Sequence, residues 1–133
     1  MEQDIIKGVR RSERTIELAA EEGTSLSSGS LRLYALPYGC VDLYNYDPLN
    51  RRCAVGIMVA TEYRRQGYAL AMLRALETQH AASLHCLYAD IAATNTASIC
   101  LFQKAGYQEC GHFKEWLNVN DNYIDSIRMQ KIL

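Results

Sequence analysis

A chain of 133 residues is one domain's worth and is long enough to bury a core. Hydrophobic residues make up 49% and charged residues 22%, and a formal net charge of −1 excludes a global field that would draw the chain to nucleic acid or to an acidic membrane. Five cysteines (Cys40, Cys53, Cys86, Cys100, Cys110) form no C-x-x-C pair, and His80, His85 and His112 lack zinc-site spacing.

No metal is therefore expected, and the cysteines read as small buried hydrophobes in a reducing compartment. The start of the chain carries Glu2 and Asp4 in place of a signal-peptide pattern, and no apolar run is long enough to span a membrane. A cytoplasmic location is expected.

Ile5, Val9, Ile16 and Ala20 fall roughly on one side of a helix over residues 1–22, followed by a Gly- and Ser-rich loop over 23–30. Residues 31–36 form a short strand, ended by Pro37. Residues 39–46 alternate, with Val41 and Leu43 on one face and Asp42, Tyr44 and Tyr46 on the other. Asp47-Pro48-Leu49-Asn50 is a turn that makes a hairpin with the next strand. That strand, 53–60, is nearly all apolar, the pattern of a strand covered on both faces.

Arg64-Arg65-Gln66-Gly67-Tyr68-Ala69 breaks the run, and a helix follows with Ala69, Leu70, Leu73 and Leu76 on one side. Residues 84–91 are again mostly apolar, a central strand parallel to 53–60, so strand, helix and strand make a crossover unit. Thr94 or Asn95 caps the next helix, Ile99, Phe102 and Ala105 point inward, and Gly106 ends it in the left-handed position. A long strand over 107–119, a turn at Asn120-Asp121-Asn122 and an antiparallel partner over 123–133 complete the chain, with Ile127, Met129 and Leu133 on one face. No repeat is present, and residues 1–133 read as a single domain.

The turn over residues 64–69 carries the strongest chemical signal. A helix start presents several unpaired backbone N–H groups pointing one way, and the helix dipole adds positive potential there. Gly67 lets a ligand approach without meeting a Cβ, Ala69 keeps the next turn low, and Arg64 and Arg65 add mobile charge. The stretch reads equally as a phosphate or pyrophosphate cradle and as a solvated basic turn. The Gly-Lys-Ser/Thr of nucleotide hydrolases and the three-glycine dinucleotide fingerprint are both absent.

The same six residues resemble the acyl-CoA-binding segment of the GNAT superfamily of N-acetyltransferases, whose pattern is Arg or Gln, two residues, Gly, one residue, then Gly or Ala. Residues 95–107, Asn-Thr-Ala-Ser-Ile-Cys-Leu-Phe-Gln-Lys-Ala-Gly-Tyr, are similar to the family's segment of Asn, short helix and Gly-aromatic, at the expected distance. The likeness covers about residues 31–133. It implies an α/β (α+β) fold: a twisted mixed sheet with helices on both faces and splayed central parallel strands, opening a slot beside 84–91. The family places a strand and two helices before the strand at Leu31, so the first strand is expected to be missing, with a partner copy covering the exposed edge as a homodimer.

The resemblance further implies acetyl-CoA as cosubstrate, held by backbone groups of Ile57, Met58 and Val59, by the segment Arg64, Arg65, Gln66, Gly67, Tyr68 and Ala69, and by Asn95, Phe102 and Lys104. A backbone N–H at Met58 would meet the thioester oxygen. Phe102 stands where many members carry a tyrosine thought to protonate the departing thiolate, and phenylalanine cannot do that. Ala54 and Gly56 occupy positions where some relatives have a glutamate. As general base Asp42, Tyr44, Glu62, His112 and Glu115 are conceivable, and none stands out.

The Asp-Pro turn with Arg51-Arg52 and the C-terminal WLNVNDNYIDSIRM resemble the branch containing spermidine and ribosomal-protein N-terminal acetyltransferases. Asp42, Tyr44, Trp116 and Tyr123 are the expected acceptor contacts, and Asp42, Asp47 and Glu115 favour a cationic amine. The expected function is transfer of an acetyl group to a small primary amine or a peptide N-terminus. A CoA-binding relative without turnover and a plain interaction module compete with it.

Overall fold

Alternating and continuous apolar runs fold into six strands among the described residues: β1 (Leu31–Leu36), β2 (Gly39–Asp47), β3 (Arg52–Val59), β4 (Cys86–Ala92), β5 (Gln108–Val119) and β6 (Asn122–Ile132). Helix α1 (Tyr68–His80) joins β3 to β4, and α2 (Thr96–Lys104) joins β4 to β5. The computed structural model describes residues 31–36, 39–59 and 67–133, with side chains at 39, 41–59 and 67–133. The helix expected over 1–22, the loop over 23–30 and any strand preceding β1 lie outside the described residues, as do Arg64, Arg65 and Gln66.

The sheet order is β1-β2-β3-β4-β6-β5. All neighbours are antiparallel except β3 and β4, joined in parallel by the crossover through α1. Val41, Leu43, Cys53, Val55, Leu87, Ala89, Ile91 and Met129 form one buried cluster with Met72, Leu73 and Leu76 of α1 and Phe102 of α2. Residues of both helices and of a single strand parity share this core, so α1 and α2 pack on the same face of the sheet. Asp42, Tyr44, Gly56, Tyr88, Asp90 and Arg128 alternate with the core residues and belong to the opposite face.

The turn between β2 and β3 forms as expected. Asp47 holds it, its Oδ1 accepting the Asn50 backbone N–H at 3.0 Å and its Oδ2 accepting from Asn50 Nδ2 at 2.8 Å. Arg52 pairs with the same carboxylate at 3.3 Å. Arg51 donates from Nε and Nη2 to the carbonyls of Ser83 and Ala82, tying down the chain after α1. These charges serve the closed end of the sheet, so Asp47 does not favour a cationic acceptor.

Two expectations about side-chain placement are corrected. Tyr46 packs against the core instead of sharing a face with Asp42 and Tyr44. Asn45 has φ 51°, and the β2–β3 register shifts between Tyr44 and Asp47, so a bulge reverses the alternation. The run over 53–60 is covered on both faces only at Cys53, Ala54 and Val55; Met58 is 65% exposed. The reason is that β3 leaves its neighbour. Pairing with β4 stops after Arg52–Cys86, Cys53–Leu87 and Ala54–Tyr88, while β4 stays paired with β6 from Cys86–Ile132 to Ala92–Ser126.

The cysteines also divide. Cys53 is buried and its thiol is pushed up to about 11, chiefly by burial. Cys86 is half-buried, and Cys100 and Cys110 are exposed, on α2 and on the edge strand β5. Alkylation follows thiolate fraction and access. Timed iodoacetamide labelling of the native protein, read by peptide mass spectrometry, should modify Cys100 and Cys110 well before Cys53. Simultaneous labelling of all three would contradict this arrangement.

Candidate active site

The divergence of β3 from β4 opens a slot, and a cavity of about 700 Å³ runs along it. One wall is the end of β3 that has parted from β4, with Ile57, Met58 and Val59. The floor is the start of α1, from Gly67 to Leu70. The other wall is α2 and its cap, with Asn95, Ala97, Ser98, Cys100, Leu101 and Lys104.

Gly67 is the residue whose identity the backbone requires. It takes the left-handed conformation at φ 81°, directly before the first helical residue, and a Cβ there would have no heavy atom within 4 Å. No side chain caps α1, whose first turn carries no acidic residue. The N–H groups at this end therefore have no side-chain acceptor from the cap position, and they border the cavity.

Asn95 does two things at once. Its side-chain oxygen accepts the Ser98 backbone N–H at 3.2 Å, capping α2, and the residue also lines the cavity. Lys104, in the last turn of α2, lines it too. Phe102 lies elsewhere. It is 2% exposed, sits in the core and packs edge-on against Tyr107 with ring centroids 4.9 Å apart. Of the residues expected at a cofactor site, Ile57, Met58, Val59, Gly67, Tyr68, Ala69, Asn95 and Lys104 come together around the slot.

On the face away from the helices, Tyr44 is half-buried, and its Cε1 lies 3.6 Å from where a Cβ on Gly56 would stand. Burial raises the Tyr44 pKa, and the negative charge of Asp90 adds to the effect. Asp42 shares that face and is partly buried. Trp116 is exposed but packs on Phe113 at 5.1 Å. Tyr123 is exposed near the β5–β6 turn, where its alternation on β6 puts it on the helix side, so it does not join Asp42, Tyr44 and Trp116.

The other conceivable bases are placed as follows. His112 Nε2 lies 2.7 Å from Asp125 Oδ2, and Asp125 Oδ1 accepts the Glu115 backbone N–H at 2.8 Å. That N–H first, and His112 second, hold the Asp125 carboxyl below its ordinary range. Glu115 has φ 49° within a shift of the β5–β6 register, so the group braces a bulge in the edge strand. Glu62 lies outside the described residues.

One arrangement was not anticipated in the sequence. Arg128 on β6 donates from Nε and Nη2 to the two oxygens of Asp90 on β4, at 2.7 and 2.9 Å. Its guanidinium carbon lies 4.6 Å from the Tyr88 ring centroid and 5.6 Å from that of Phe113. The signal was there in the alternation of Tyr88 with Asp90 and of Ser126 with Arg128, both interrupting apolar strands. Among the described residues no group of three or more His, Cys, Asp or Glu gathers to hold a metal, and no helix is long and apolar enough to cross a membrane.

Comparison with known proteins adds to this geometry. The acetyltransferase (GNAT) domain family matches residues 10–108. A spermidine N(1)-acetyltransferase of Vibrio cholerae is 30% identical over 93 residues, covering 68% of this chain and 54% of that relative. The chain thus spans about half the length of the curated relative it matches. Among solved structures, a mutant of the spermidine N-acetyltransferase SpeG from Vibrio cholerae superposes with a TM-score of 0.70 at 26% identity, covering 87% of this chain and 72% of that one. RimL, a ribosomal-protein alpha-N acetyltransferase in complex with coenzyme A, superposes with a TM-score of 0.70 at 20% identity, covering 72% and 55%, a likeness of fold.

Proposed function

Since the chain belongs to the GNAT acetyltransferase family, we propose that it is an acetyl-CoA-dependent N-acetyltransferase that transfers the acetyl group directly to a primary amine. The observation that carries this is the slot itself: one strand stripped of its neighbour, with a cavity leading from it to the αL glycine at a helix start. Coenzyme A fits such a place. The β3 backbone at Ile57–Val59, beyond its last rung with β4, would hold an extended pantetheine arm as an added strand. The N–H groups from Gly67 to Ala69, with Lys104 and Asn95 opposite, would hold the phosphates. Arg64, Arg65 and Gln66 extend the same site in this reading.

When bound, acetyl-CoA supplies an activated acyl thioester. The protein then has few tasks. It must admit a neutral amine through the gap on the Tyr44 face and aim a backbone N–H near Met58 at the oxygen that becomes anionic. The amine nitrogen bonds to the acyl carbon, the carbon–sulfur bond breaks, and the amine proton passes to solvent. Phe102 is buried and has no acidic hydrogen, so the leaving thiolate takes its proton from water. The acceptor is a small amine, a polyamine or a peptide N-terminus, and the protein acts in the cytoplasm, as a homodimer where a sheet edge needs covering.

A second reading has its own support. Among the described residues the cavity wall carries no carboxylate and no histidine, as expected of a CoA-binding relative without turnover. A thermal-shift titration separates the readings at the first step, with ATP and NAD as controls. A ligand at about a hundred times its dissociation constant adds about 2.7 kcal/mol, which moves the midpoint by several degrees. A shift with CoA and acetyl-CoA alone is the expected result, followed by release of free thiol with an amine panel. Binding without thiol release favours the second reading, and no shift at all would overturn both.

A further inference from the structure

The β4–β6 ladder sets Leu87, Ala89 and Ile91 opposite Lys131, Met129 and Ile127. Leu87, Ala89 and Met129 are buried under the helices, so alternation points Lys131 into the same layer. A lysine is an unusual choice there, because its ammonium must be largely drawn out of water. Lys131 meets that demand with two hydrogen bonds from Nζ, each of 2.7 Å. One goes to Glu77 Oε2 on α1, the other to the carbonyl of Ala105 at the end of α2. Its stem passes Gly106, where a Cβ would stand 3.4 Å from both Cε and Nζ.

Glu77 needs this partner. Its side chain is 12% exposed, and among the described residues its Oε1 is buried without a hydrogen-bond partner. The Tyr107 hydroxyl is likewise buried without one; burial first, and the Glu77 charge second, push the tyrosine pKa up. A carboxylate so placed is tolerated only while a cation faces it.

The consequence lies at the slot. α1 begins at its floor, and α2 carries its wall, with Lys104 directly before the carbonyl that Lys131 holds. Glu77 stands about 14 Å along α1 from its start. Met72, Leu73 and Leu76 hold α1 on the sheet by apolar contact, which is non-directional and lets a helix slide. Hydrogen bonds to a shared ammonium are directional, and they fix α1 against α2.

We propose that Lys131 is a positioning residue for the cofactor slot. Through Glu77 and the Ala105 carbonyl it sets the separation of α1 from α2, and hence the affinity for coenzyme A. This rests on the reading of the slot as an acetyl-CoA site. Lys131 does not line the cavity, so it acts through the two helices and not by touching the ligand.

The experiment is calorimetric titration of the full chain with coenzyme A, alongside thermal melting of each variant. Glu77→Leu with Lys131→Met replaces the ion pair by apolar side chains, a change that commonly leaves a buried site about as stable as before. Its melting midpoint should stay near wild type while coenzyme A affinity falls by about tenfold, because packing alone no longer keeps the spacing of the walls. Glu77→Gln removes the charge but keeps an acceptor for Nζ, and it should bind coenzyme A almost as the wild type does. If the apolar double variant does not fold, Glu77→Gln with Lys131→Gln keeps a neutral hydrogen-bonding pair too short to reach Ala105 as well, and its affinity should fall likewise. Unchanged affinity in the double variants, or an equal loss in Glu77→Gln, would overturn the proposal. So would an affinity that falls only in step with the melting midpoint, the mark of a merely structural pair. Failure of the underlying reading is distinct: a wild type that does not bind coenzyme A overturns that reading, and the proposal with it, before any variant is compared.

Discussion

Gly67→Asp should reduce coenzyme A affinity by at least about a hundredfold while leaving the protein folded. Three terms set that expectation. The backbone at residue 67 is left-handed, at φ 81°, which costs a non-glycine residue about 1 kcal/mol and an aspartate somewhat less than a branched side chain. A domain with about 5–15 kcal/mol of stability tolerates that loss. The new Cβ meets no atom within 4 Å, so the core is untouched. The carboxylate, however, would stand at the start of α1 where the pyrophosphate is proposed to bind. Two like charges about 4 Å apart at an effective dielectric of about 20 repel by about 4 kcal/mol, which exceeds the two powers of ten required. Gly67→Ala is the control, since it carries the backbone cost without the charge and should lose far less. Equal losses in both variants, measured by calorimetric titration with CoA, would mean that the amides at this helix start do not bind an anion.

Gly39→Ala should be the most damaging single-methyl change near the slot, although Gly39 does not line it. Gly39 faces Val59 across the β2–β3 ladder. A Cβ built on it would run into the Met58 carbonyl oxygen and come within 3.1 Å of Val59 Cα. Both obstacles are main chain, so no side-chain rotation relieves them. The strand must move, at a cost of about 1–3 kcal/mol, and the melting midpoint should fall by several degrees. Met58 and Val59 are also the slot wall, so CoA affinity should fall with stability. Gly56→Ala makes the contrast: its Cβ would sit 3.6 Å from Tyr44 Cε1, an ordinary contact, and both quantities should stay near wild type. Equal behaviour of the two variants in melting and titration would refute the register described for β2 and β3.

Much of the architecture was legible in the sequence because it depends on local chemistry. The Asp47 turn, the Asn95 cap and Gly106 at φ 95° each follow from one residue type acting on its own backbone. The crossover from β3 to β4 follows from two apolar runs flanking an amphipathic helix. What escaped depends on longer-range geometry. Nothing in Asn45 announces that it, among several asparagines, takes φ 51° and turns Tyr46 into the core. Cys100 lies in an apolar run along the chain, yet it faces the open slot, and the edge position of β5 exposes Cys110. Phe102 reads both as pointing inward and, by its place in a motif, as a cofactor contact; it is buried and packs edge-on against Tyr107. The Asp90–Arg128 pair joins residues 38 apart and needs the β4–β6 register before it exists.

The short seam between β3 and β4 has a mechanical consequence. Among the described residues seven pairs tie β2 to β3 and seven tie β4 to β6, but three join the two halves of the sheet. The seam is a flexure, stiff at the end held by Arg51 and compliant toward Met58. An extended molecule lying in the slot would replace the missing rungs and couple the halves into one plate. The protein's rigidity is then set from outside, by how much of that molecule is at hand, and the sheet tightens only when there is something to work on.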